Sequence, residues 1–84
     1  MGKDIILVLV DKRMETALDV QRILTEWGCL IKTRLGIHDA GIDNCSSNGL
    51  IILELIGSSE EKEKLKDSLN SLDGTKAKLV NMVF

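Results

Sequence analysis

Aromatic side chains are almost missing from this chain: in 84 residues there are only Trp27 and Phe84. Its core must therefore be aliphatic, and a sheet that reads RNA by stacking bases on exposed rings is excluded. Positive charge is not in excess either. Eleven Lys and Arg face 13 Asp and Glu, the net charge is −2 and the pI is about 5.3, which argues against direct binding to nucleic-acid backbones, since that needs clustered cations. Neither GxxxxGK nor GxGxxG occurs, so nucleotide hydrolysis on such a loop is excluded. The longest apolar run, Ile5 to Val10, falls far short of the roughly 20 residues that span a bilayer. No signal peptide precedes that run and the cysteines are few, so a soluble cytoplasmic protein with reduced thiols is expected, without a membrane partner.

What is present is alternation. Eighty-four residues, 44% of them apolar, fit one domain over residues 1–84, burying about 60–65% of the unfolded chain's surface. The segment DIILVLV, residues 4–10, is aliphatic on both faces after Asp4 and reads as a strand covered on both sides. From Arg13 to Trp27, Ala17, Val20, Leu24 and Trp27 recur on one helical stripe with Ile23 beside them, and Gly28 follows as a left-handed cap would. Leu18 sits off that stripe. CLIKTRLGI, residues 29–37, alternates, with Cys29, Ile31, Thr33, Leu35 and Ile37 on one side and Lys32 and Arg34 on the other, as an edge strand does.

LIILELI, residues 50–56, is a second doubly apolar strand, interrupted only by Glu54 and ended by Gly57. Ser58 and Glu61 have the spacing of a capping box. They open a helix with Leu65, Leu69 and Leu72 on a narrow stripe and a charged face taken as solvated, which Asp73 and Gly74 stop. AKLVNMVF, residues 77–84, is the last strand. The order is βαββαβ, an α+β sandwich of the split βαβ, ferredoxin-like kind: a four-stranded antiparallel sheet with two helices on one face, and strands one and three in the middle.

Two helices cover one face of such a sheet, yet the central strands carry aliphatic side chains for both. The uncovered patch calls for a second protein surface, and a second copy of the chain is the simplest one. Ile6, Val8, Val10, Leu50 and Ile52 are the expected interface residues of a homodimer or homotetramer.

The stretch RLGIHDAGIDNCSSNG, residues 34–49, collects His38, Asp39, Asp43 and Cys45. One imidazole and one thiolate leave a four-coordinate metal site half built unless a neighbouring subunit completes it. Gly, Asp, Asn and Ser are also turn formers, so we read the segment as a crossover and assign no metal and no cofactor. Cys29 is read as a buried small hydrophobe. Lys32 and Arg34 could hold a carboxylate or phosphate, but are taken as solvated edge charges. His38 and Cys45 lack an orienting third group, so no catalytic residue is assigned and no enzyme is expected.

The aliphatic first strand leading into VDKRMETALDVQRIL, the IKTRLGI strand with its Arg34-x-Gly36 step and the aliphatic GLIILELIG together resemble the small regulators associated with iron-only hydrogenase systems, an ACT-like, ferredoxin-like group. The resemblance spans nearly the whole chain. It implies a regulatory or ligand-sensing homo-oligomer acting through a partner protein or a small-molecule effector, and it carries no site residues. Amino-acid-binding ACT domains commonly place Gly after the first strand, where this chain has Asp11-Lys12-Arg13-Met14. The C-terminal domain of nickel-responsive repressors has histidines and a cysteine near His38 and Cys45, which makes a metal-sensing module the alternative. An acylphosphatase-like enzyme would need a phosphate cradle near Arg13, and the glycines for it are missing.

Overall fold

The six aliphatic residues Ile5 to Val10 form the centre of β1 (Gly2–Asp11), and its pleat divides them into two sets. Ile6, Val8 and Val10 are buried on one face while Leu7 and Leu9 remain exposed on the other. The computed structural model describes residues 2–11, 16–37, 40–41, 44–45 and 48–84. After β1 come α1 (Ala17–Glu26), a 3₁₀ turn (Gly28–Leu30), β2 (Ile31–Ile37), β3 (Ala40–Gly41), β4 (Asn44–Cys45), β5 (Asn48–Leu55), α2 (Ser59–Asn70) and β6 (Thr75–Val83). The main sheet runs β2-β5-β1-β6 with every pair antiparallel. The two doubly apolar strands are the central ones, as the ferredoxin-like plan requires.

The core lies between the sheet and the helices. Ile6, Val8 and Leu53 from the strands meet Val20 and Leu24 of α1 and Leu65 and Leu69 of α2, all essentially without exposed surface. Ser58 caps α2: the Glu61 amide donates to Ser58 Oγ at 3.1 Å, and that hydroxyl in turn donates to Glu61 Oε1 at 3.0 Å, a variant of the expected box in which the carboxylate meets the Ser58 hydroxyl. Gly57 separates β5 from α2 at φ +105°, and a Cβ there would lie 2.7 Å from Leu30 Cδ2. Leu30 is buried and its carbonyl accepts from the Ile56 amide at 2.8 Å, so this corner admits only glycine without strain.

Several local expectations are corrected. α1 spans Ala17–Glu26 with Thr16 at its N-cap, the stretch from Arg13 to Glu15 lying outside the described residues, and Gly28 opens the 3₁₀ turn instead of capping the helix in a left-handed conformation; among the described residues the glycines with positive φ are Gly57 and Gly74. Cys29 is in that turn and exposed, not buried in a strand. β2 faces β5 with Ile31 opposite Leu55 and Thr33 opposite Glu54, so two residues of β2 span one step of β5. This bulge turns Ile31 toward the core and leaves Thr33 on the opposite face, where simple alternation puts both on one side. Within the crossover, β3 and β4 pair with each other, Ala40 opposite Cys45.

Candidate functional site

The face of the sheet away from the helices is set by register, because residues directly opposite on paired strands point the same way. One row runs Leu35, Ile52, Leu7, Lys78; the next runs Thr33, Glu54, Ile5, Val80. Leu50 and Leu9 stand in a third row, ending at Lys76. Leu35 keeps 53% of its surface, Leu9 48% and Leu7 37%, and Leu50 and Ile52 are half-buried. An aliphatic stripe thus crosses β2, β5 and β1 and meets lysines at β6.

Glu54 lies on this face near the end of β5. Its carboxylate accepts from Lys3 Nζ and, at 3.0 Å, from Thr33 Oγ1. The Lys3 bond above all, and the Thr33 hydroxyl after it, hold its pKa below the usual carboxylate range. The one acid among these apolar rows is therefore an ionised group with partners already in place.

Ile6, Val8 and Val10, expected on this surface, are instead core residues beneath the helices. Sequence showed that β1 has two apolar faces, but not which one the helices take. Leu50 and Ile52 do lie on the open face, and the β1 residues beside them are Leu7 and Leu9. Nothing within β1 marks the choice: Asp4 shares the helix-side parity with Ile6, which makes sense only because α2 supplies its partner.

That partner is Lys62, expected on a solvated helix face and instead buried beside Leu65 and Leu69. Its ammonium lies 2.6 Å from Asp4 Oδ2, and Asn81 donates to Asp4 Oδ1. Bonds from Lys62 first and Asn81 second lower the pKa of Asp4. Further along, the Asn70 side chain brackets Ala77 of the edge strand β6, donating to its carbonyl at 2.9 Å and accepting from its amide at 2.7 Å. Backbone groups that a foreign strand would need there are already occupied.

Of the candidate chemistry, His38, Asp39, Asp43 and Arg13 lie outside the described residues, and so does the side chain of Cys45, whose backbone is in β4. Arg34 donates to Gln21 of α1 rather than standing free. Leu18 is 83% exposed on α1, away from the sheet. Among the described residues no helix is long and apolar enough to cross a membrane.

No protein-family model matches the chain, and no curated protein matches its sequence. Solved structures do share its fold. Uncharacterized protein TM1266 from Thermotoga maritima superposes with a TM-score of 0.82 at 20% identity, covering 96% of each chain. CPII, a nitrogen regulatory PII-like protein from Thiomonas intermedia K12 bound to ADP, AMP and bicarbonate, gives a TM-score of 0.66 at 9% identity, covering 98% of this chain and 91% of that one. A candidate PII-like signalling protein from Thermus thermophilus gives 0.62 at 13% identity, covering 98% and 87%. At these identities the likeness is one of fold.

Proposed function

We propose that this chain is a small, non-catalytic regulatory module of the cytoplasm that senses a ligand and works as a homodimer or homotetramer, joined through the open face of its sheet. The observation that carries the reading is the row of half-exposed Leu35, Ile52 and Leu7 with Leu9 beside them. Water is a poor neighbour for such a stripe, and a two-fold axis through it covers both copies at once.

Regulation is supported by the company the fold keeps, since two of the neighbours are described as PII-like and one of these binds ADP, AMP and bicarbonate. The sequence resemblance adds the setting: control of an iron-only hydrogenase system through a partner protein or a small effector. Sedimentation velocity of the purified chain at micromolar concentration tests the reading. A dimer or tetramer is expected, and a clean monomer would remove its main support.

A further inference from the structure

One end of the sheet holds a feature that self-association leaves unexplained. The start of β1 and the ends of β5 and β6 meet there beside α2, around a cleft of about 440 Å³. Its polar residues come from both faces of the sheet at this end, Asp4, Lys62 and Asn81 from the helix side and Lys3 and Glu54 from the open face, with Lys32 of β2 beside them, and Leu55, Ile56 and Val83 complete the lining. The volume lies within the range of small-molecule sites, and the lining is more polar than apolar, which suits a charged ligand.

The hydrogen-bonding balance decides what such a cleft would take. Both carboxylates have both oxygens engaged, Asp4 by Lys62 and Asn81, Glu54 by Lys3 and Thr33. The cations are not used up in the same way. Each ammonium carries three N–H donors, and Lys62, only 9% exposed, has one of them on Asp4 at 2.6 Å. Lys32 makes no ion pair among the described residues, though its charge reaches Glu54. Three ammonium groups against two carboxylates leave one positive charge and a surplus of donors.

We infer that this cleft binds a small molecule carrying an oxyanion, a phosphate monoester or a carboxylate, on a compact apolar body. Lys62 is the fixed donor, held in place by Asp4 and by its burial. Lys32 supplies the uncompensated charge. Lys3, whose side chain is 62% exposed, exchanges its exposed pairing with Glu54 for the ligand at little cost. The apolar body lies against Leu55, Ile56 and Val83. Calling this molecule the regulator's signal rests on the function proposed above; the binding site itself does not.

The test is titration of the intact ¹⁵N-labelled chain with inorganic phosphate, and separately with acetate, at constant ionic strength, followed by amide NMR. Saturable shifts confined to the neighbourhood of Asp4, Lys32, Leu55, Ile56 and Val83 are expected with at least one anion, and the arm that saturates identifies the headgroup. Lys32→Gln should weaken the midpoint roughly three- to tenfold, while Lys78→Gln, on the open face, should leave it unchanged. Linear shifts with both anions, or the same midpoint in Lys32→Gln, would overturn the site. Sedimentation of the same samples reads assembly separately. Binding by a monomer upholds the cleft and refutes the oligomer, and an oligomer that binds neither anion does the reverse.

Discussion

Replacing Leu9 with threonine separates association from folding. Leu9 is 48% exposed on the open face. Fully burying a leucine contributes about 1.5–3 kcal/mol, so covering the remaining half contributes about 0.7–1.5 kcal/mol. A two-fold axis covers the position twice, making the loss on association about 1.5–3 kcal/mol per dimer, or about 10- to 150-fold in the dissociation constant. Threonine is β-branched and favours a strand, and its hydroxyl stays in water in the monomer. The urea midpoint of the monomer should therefore barely move, as for other surface changes. Sedimentation velocity over about 0.1 to 100 micromolar protein reads the constant directly. Leu53→Ala is the opposite control: Leu53 is wholly buried on the helix side, so folding stability should fall by about 2–5 kcal/mol. If Leu9→Thr dissociates at the same concentration as the native chain, the open face is not the contact.

Other substitutions test the frame that holds these surfaces. Gly57→Ala should cost about 2–4 kcal/mol in urea denaturation, because it combines a positive φ with a clash against a buried leucine. Gly28→Ala, with nothing within 4 Å, should be neutral or stabilising by up to about 1 kcal/mol. Lys62→Met leaves the half-enclosed Asp4 without its cation, so the Asp4→Leu, Lys62→Met double variant should be more stable than Lys62→Met alone. Asp4 and Glu54 have pKa values lowered from 3.8 and 4.5 in the folded chain. Each therefore stabilises the fold above those values and loses that contribution as pH falls through its lower folded pKa. Urea midpoints should hold down to about pH 5 and then drop, and Glu54→Gln should flatten the drop.

The placement of Lys62 shows where reading by pattern stops. Within SSEEKEKLKDSLNSL it is one of several lysines among glutamates, and its position three before Leu65 puts it on the apolar stripe. That position makes sense only once β1 brings Asp4 beneath it, 58 residues away in sequence. The bulge in β2 is similar. Nothing in CLIKTRLGI marks it; it follows from fitting Ile31 against Leu55 while Thr33 reaches Glu54. By contrast, Ser58 and Glu61 were legible because a cap joins residues three apart and needs no tertiary context.

Local and periodic signals, on their own, determined the order of the four main strands and two helices, the two central strands, the capped second helix and the existence of a surplus apolar face, but not the small β3–β4 pair within the crossover. Each follows from spacings of two or 3.6 residues, which act within one element. Which face of β1 the helices occupy, and hence that Leu7 and Leu9 rather than Ile6, Val8 and Val10 stand open, was decided only by the fold. A strand aliphatic on both sides looks the same from either, and only a contact with a distant partner, such as Lys62 on Asp4, breaks that symmetry.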